Sequence, residues 1–325
     1  LFITSNRIGD AVISMGILDH LIHEYENLRM TIACGPLAAP LFSEVPFVEH
    51  IIPLEKKKYA MHWVKLWGEV RWTHWDLVVD LRASALSYLL WANKRLIYHP
   101  RDDGTHRVAQ LSHFMGLDDP QAPRIWLGIK QTEMAKNIIP QGIPVLGVGP
   151  TANWGGKQWP ASKFAEVVRR LTAAGAILEG APVAVFGAQS ERHEALPLLE
   201  RIPKNRRIDL VGKYDILTVA ACLRRCSIYL GNDSGLMHIA AATYTPTLGL
   251  FGPSRDDLYA PWGDHCTVVR TLLSFNYLSS LPEFSSHRNA SLMESLSTDD
   301  VENAAKDLWQ SFRSREAGLA LQAGE

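Results

Sequence analysis

Along nearly the whole chain, short apolar runs alternate with longer segments of helical period, and this alternation leaves few folds open. Leu1–Thr4, Met30–Cys34, His50–Leu54, Leu77–Leu81 and Ile97–His99 read as strands, with helical stretches at about 11–25, 60–72 and 106–115. Strands of continuous rather than alternating hydrophobicity must be covered on both faces. Interposed helices do that only if the strands pair in parallel through right-handed crossovers, which predicts an α/β layered sheet. A second series follows, with strands at Val145–Val148, Val183–Phe186, Asp209–Leu210, Ser227–Leu230 and Thr247–Phe251. Its helices are predicted over 162–174, 191–201, 216–226 and 238–243, with Ser162 as a cap.

Between the series, Pro140, Gly142 and Pro144 cluster within Ile138–Pro144, the expected linker. The predicted organisation is an N-terminal domain over 1–140 and a C-terminal domain over 141–297, in keeping with 325 residues at roughly 100–200 per domain. Gly212 and Gly231 fall at strand ends and are expected to take positive φ. Residues 273–297 hold eight serines and read as an irregular connection. Thr298, with Asp299 and Asp300 behind it, is the expected cap of a helix to about Phe312, before a frayed tail. That helix, at about 298–316, is a candidate to pack back on the N-terminal domain.

Composition excludes several classes. Lys and Arg number 33 against 34 Asp and Glu, and neutrality holds on each side of residue 140, so no excess of cations serves a nucleic acid. No apolar run approaches the roughly 18–20 residues that span a bilayer. Cys34, Cys222, Cys226 and Cys266 are too few for a disulfide scaffold and lack paired zinc spacing, so no metal site is expected and buried thiols are. The chain starts on Leu1, inside an apolar strand, and is read as lacking a few preceding residues. With no basic-led signal segment in view, a cytoplasmic protein is expected.

Three loops carry chemistry, each between a predicted strand and a helix, where open α/β sheets bind ligands. Arg7-Ile8-Gly9-Asp10 has a glycine for close approach and an aspartate that either caps the helix or faces a cleft as a general base. Gly149–Pro160 combines Thr151, Asn153, paired glycines and Lys157 ahead of a helix. It suits a pyrophosphate or is an ordinary connection, and it matches neither GxxxxGK[ST] nor GxGxxG. Gly231–Ala242 runs from a strand through Asn232, Asp233, Ser234 and Gly235 into an alanine-rich helix bearing His238. The backbone N–H groups at Ser234 and Gly235 could form an anion nest, whereas a lone histidine is commonly structural.

Together the three segments, with Pro246–Ser254 (PTLGLFGPS), resemble glycosyltransferase family 9, the ADP-heptose:lipopolysaccharide heptosyltransferases. The resemblance runs in the same order over nearly the whole chain. It implies a GT-B fold of two Rossmann-like domains facing a cleft, acceptor in the first and nucleotide sugar in the second. It also implies inverting, metal-independent transfer, with ADP-heptose as co-substrate and no cofactor. Carried over, Asp10 matches the catalytic base and Lys157 the lysine that neutralises donor phosphate. Asp233, Ser234, Gly235 and His238 match the donor segment; Glu191 falls where a ribose-binding carboxylate is expected, Tyr214 near the adenine, and Thr151 and Asn153 on the phosphates.

The implied acceptor is an acidic glycolipid. Gly9, Lys56, Lys57, Arg82, Arg101 and Arg107 are candidates to meet it, and Lys56–Lys58 equally suits a solvated loop. Trp63, Trp67, Trp72 and Trp75 read either as core or as contacts to lipid at the cytoplasmic face of the inner membrane. A nucleotide-sugar epimerase and a non-catalytic nucleotide-sugar-binding protein remain open as alternatives.

Overall fold

The computed structural model describes residues 1–285 and 290–322, and the chain separates into two compact units, Leu1–Gly128 and Ile129–Glu325. In the first unit, strands β1 (Phe2–Ile3), β2 (Met30–Cys34), β3 (Val48–Pro53), β4 (Trp75–Asp80) and β5 (Ala92–Ile97) form one parallel sheet in the order β3-β2-β1-β4-β5. Its helices are α1 (Ile8–Ile13), α2 (Met15–Glu24), α3 (Met61–Val70) and α4 (Arg107–Phe114). The helix expected over 11–25 is thus two helices, broken at Ser14, whose hydroxyl donates to the Ala11 carbonyl. β5 starts five residues before the expected strand at Ile97; Asn93, Lys94 and Arg95 are exposed on this edge, so it lacks a continuous apolar run.

The second unit opens with α5 (Ile129–Ile138), a helix the sequence reading did not foresee. It packs on α8 (Ile216–Leu223), which moves the boundary from the expected 138–144 to Gly128/Ile129. Strands β6 (Leu146–Gly149), β7 (Val183–Val185), β8 (Arg207–Asp209), β9 (Ile228–Asn232), β10 (Thr247–Phe251) and β11 (Cys266–Arg270) pair in parallel in the order β11-β10-β9-β6-β7-β8. The first strand in sequence is central and the chain winds outward on both sides, a doubly wound Rossmann order with its switch point between β6 and β9. Helices α6 (Ala161–Leu171), α7 (Arg192–Leu199) and α9 (Gly235–Ala242) are crossovers; α10 (Asp256–Tyr259), α11 (Phe275–Ser280) and α12 (Pro282–Ser285) are short, and α13 (Thr298–Gln322) is terminal.

Several local expectations change. α6 starts at Ala161 after Pro160, with no side-chain cap from Ser162. The connection expected to be irregular contains α11 and α12 and sends Met293 and Leu296 into the core; Ser286–Asn289 lie outside the described residues. Ser297, not Thr298, accepts from the Asp300 N–H at the start of α13. Val301, Ala305 and Leu308 of α13 join the core of the second unit with Trp159, Phe164 and Leu171, so this helix belongs to that unit rather than being an extension of the first. Of the two glycines, only Gly212 has positive φ, +68°. Cys34, Cys222 and Cys226 are buried, and burial pushes the Cys34, Cys222 and Cys266 thiols up to about 12.

Candidate functional site

At the β6/β9 switch point the connections leave the two paired strands toward opposite faces of the sheet, and it is beyond the carboxyl ends of such strands that open α/β sheets bind ligands. The loop after β6 supplies Thr151 and Lys157; the loop after β9 supplies Asp233 and Ser234. Asn232 ties the two together: its side-chain amide donates to the Pro150 carbonyl at 2.8 Å and its oxygen accepts from the Trp159 N–H at 3.0 Å. Lys157 Nζ then reaches Asp233 Oδ2 at 2.5 Å, an ion pair in which the lysine side chain is 25% exposed and the aspartate 9%. A cation held at that depth by one carboxylate retains donor capacity for an arriving anion.

Thr151, buried, donates to Glu191 Oε2 at 2.8 Å, and the Ala188 N–H donates to the same oxygen at 3.2 Å. Glu191 is therefore fixed beside the phosphate-loop candidate. Gly212 lets the loop after β8 pass over this turn, since a Cβ there would stand 2.1 Å from Gln189 Oε1; Tyr214 follows two residues later, half-exposed. Asn153 is exposed and His238 buried in α9. Beyond β8, Arg192 and Lys213 bind Asp209 at 2.8 and 3.0 Å; burial opposes that charge, yet the cations hold the carboxyl down at about 2.

Among the described residues, the buried hydroxyls of Tyr229 in β9, Ser234 after it and Ser254 after the adjacent β10 complete no well-formed hydrogen bond. Buried hydroxyls are ordinarily hydrogen-bonded, so those of Ser234 and Ser254, after the adjacent strands β9 and β10, are candidates to meet a polar ligand. In the sequence Asn232 and Ser254 stand out only as members of their motifs, and Tyr229 lies outside all of them. The only signal was spacing, a tyrosine two residues before a strand glycine. Among the described residues, no three His, Cys, Asp or Glu side chains converge as a metal site.

In the first unit, the switch point lies between β1 and β4. Gly9 and Asp10 occupy the first turn of α1; Asp10 makes no cap and instead accepts from the Ser5 hydroxyl at 3.2 Å. Arg82, after β4, donates to Asn6 Oδ1 at 2.9 Å, which brings it to the same loop. Gly35 must lack a side chain because a Cβ would meet Asn6 Cα at 2.4 Å. Asp80, fully buried, accepts from the Ser84 and Ser87 hydroxyls and the Arg82 N–H, which locks the turn that carries Arg82.

The other acceptor candidates are dispersed. Lys56 and Lys57 are exposed after β3, and Arg101 is exposed near α4. Arg107 is committed elsewhere, donating to Tyr98 Oη at 3.2 Å and to the Arg101 carbonyl at 3.1 Å. Trp63, Trp67 and Trp75 pack on the core of the first unit, whereas Trp72 is 80% exposed. No described helix is long and apolar enough to cross a membrane.

Two Rossmann-like units, each a parallel sheet with its own topological switch point, define a GT-B protein. The signature described as glycosyltransferase family 9 (heptosyltransferase) matches residues 64–283, and the chain belongs to that family. It is 23% identical over 310 residues to lipooligosaccharide heptosyltransferase 2 of Haemophilus influenzae, covering 84% of this chain and 88% of the relative. The fold is shared with E. coli ADP-heptose lps heptosyltransferase II (TM-score 0.75, 18% identity, covering 96% and 98% of the two chains). A family 9 glycosyl transferase from Veillonella parvula matches likewise (TM-score 0.78, 20% identity, 95% and 96% covered). The chain is thus a glycosyltransferase.

Proposed function

We propose that the protein transfers heptose from ADP-heptose to a phosphorylated lipopolysaccharide core, with inversion and without a metal ion. The observation that carries this reading is Lys157 seated on Asp233, the residue that precedes the uncapped Ser234 opening α9. Transfer from a nucleotide diphosphate builds negative charge on the leaving phosphate. Lys157 and the N–H groups opening α9 are the groups that would stabilise it. Glu191, held by Thr151, has an acceptor-only carboxylate suited to ribose hydroxyls.

Single-displacement inversion needs one carboxylate to take the proton of the attacking hydroxyl. Asp10 is assigned that role: it caps nothing and accepts a hydrogen bond from the Ser5 hydroxyl, which orients it. Arg82, Lys56, Lys57 and Arg101 remain suited to acceptor phosphates, while Arg107 is assigned to holding the Arg101 loop. The relatives' printed names, lipopolysaccharide and lipooligosaccharide heptosyltransferases, support this donor and acceptor class.

An acceptor of that kind is embedded in lipid, so peripheral attachment at the cytoplasmic face of the inner membrane belongs to the same proposal. Residues 56–95 hold eight Lys and Arg against three Asp and Glu, while the whole chain is at −1. They also expose Trp72, Tyr88, Leu89 and Trp91, an aromatic and cationic combination suited to an anionic lipid surface. The test is transfer from ADP-heptose to a heptose-deficient core oligosaccharide. Asp10→Asn should abolish turnover and leave ADP affinity intact; turnover near wild type would refute the assignment of the base. Isomerised donor, or binding without turnover, would instead favour an epimerase or a silent binding protein.

A further inference from the structure

Tyr229 is wholly buried in β9, yet among the described residues its hydroxyl completes no well-formed hydrogen bond, although Ser234 stands within its reach. Phenylalanine would fill the same volume without leaving a polar atom unmade, so the oxygen calls for a role. In the β6–β9 register, Tyr229 lies opposite Gly147 and Gly231 opposite Gly149. The phenol runs along the sheet over the second pair: a Cβ at Gly149 would stand 1.9 Å from its oxygen, and one at Gly231 2.4 Å. Both glycines are therefore the slot for this side chain, at the carboxyl end of the two central strands.

Ser234 is the polar side chain within reach of the hydroxyl there, while the Glu191 carboxylate acts on it only through its charge. Glu191 Oε2 is already occupied by Thr151 and the Ala188 N–H. Ser234 is not: its Oγ is buried and unpartnered, although it stands at the N-cap of α9. At the same position of α8, Asp215 accepts from two backbone N–H groups, and Ser274 at the start of α11 accepts from one, that of Tyr277. Ser234 is thus turned away from the helix it opens, leaving both its hydroxyl and the first N–H groups of α9 for another acceptor.

We infer that Tyr229 and Ser234 form a two-hydroxyl relay that closes on a phosphate oxygen of a nucleoside diphosphate. When the ligand arrives, the Tyr229 hydroxyl donates to Ser234 Oγ, and the Ser234 hydroxyl donates to the phosphate alongside Lys157. Tyr229 is a positioning residue: it orients Ser234 and does not touch the ligand. The inference rests on the reading of this unit as the nucleotide-diphosphate site.

The test is calorimetric titration of the full-length chain with ADP and with adenosine, for wild type, Tyr229→Phe, Ser234→Ala and the double variant. Tyr229→Phe should weaken ADP binding about tenfold and leave adenosine binding unchanged, a discrimination that a merely structural role would not produce. The same loss should appear in the donor KM of the transfer reaction and not in the acceptor KM. In the Ser234→Ala background, Tyr229→Phe should cost nothing further. Wild-type affinity for ADP in Tyr229→Phe would overturn the inference and leave the nucleotide reading intact, as would losses that add in the double variant. Failure of the wild type to bind ADP would overturn the nucleotide reading itself, and the relay with it.

Discussion

Replacing Lys157 by methionine separates the lysine's structural role from its chemical one. The substitution keeps the length of the side chain and removes its charge, leaving Asp233 buried beside Asn232 without a counterion. At 2.5 Å the gross attraction is about 6–7 kcal/mol with an effective dielectric constant of about 20. Desolvation cancels much of that, and losing one partner of a fully buried pair costs about 3–5 kcal/mol. Because the lysine side chain is a quarter exposed, the expected loss is smaller, about 2–3 kcal/mol. In a unit of this size that lowers Tm by about 5–10 °C.

Adding Asp233→Asn removes the stranded charge and should recover most of the stability in scanning calorimetry. It should not recover nucleotide binding, since the diphosphate still lacks its cation; ADP affinity should stay about 10–100-fold below wild type in both variants. A Lys157→Met protein as stable as wild type would refute the ion-pair reasoning. A double variant that binds ADP normally would refute the assignment of Lys157 to the phosphate.

Gly149→Ala should destabilise the second unit by about 3 kcal/mol or more, because its methyl would collide with an immovable buried phenol, and Tyr229→Phe should relieve part of that in urea unfolding. The Asp209 cluster makes stability fall in acid: the folded carboxyl is held at about 2, below its ordinary value, so its contribution of about 1–2 kcal/mol is complete above about pH 4 and is lost as pH falls through 2. Asp209→Asn should flatten that part of the denaturation curve. Thiol reagents should label Cys34, Cys222 and Cys266 slowly in the folded protein and rapidly in denaturant, since burial keeps them protonated. Trp72→Ala with Trp91→Ala should lower binding to anionic vesicles several-fold in sedimentation; equal binding would remove these side chains from the lipid contact.

The periodicity of the chain determined that this is a layered α/β protein in two series, because helix and strand periods are imposed locally by backbone hydrogen bonding and by which face meets water. It also placed Asp10, Lys157 and Asp233–Gly235 between a strand end and the start of the next helix, since Gly, Asp and Ser there have local conformational reasons. Residue pattern alone cannot decide on which side of the first strand each later strand inserts. It therefore could not bring Lys157 to Asp233, 76 positions away, or show that Arg107 is committed to its own loop. The same holds for α5 and α13, whose apolar positions acquire a partner only when α8 and α6 are in place. Tyr229 is the sharpest case. As sequence it is one apolar strand position, and only the parallel pairing of β6 with β9 lays its hydroxyl over Gly149 and Gly231 at the mouth of the site. Long-range packing makes such a contact, and no local propensity encodes it.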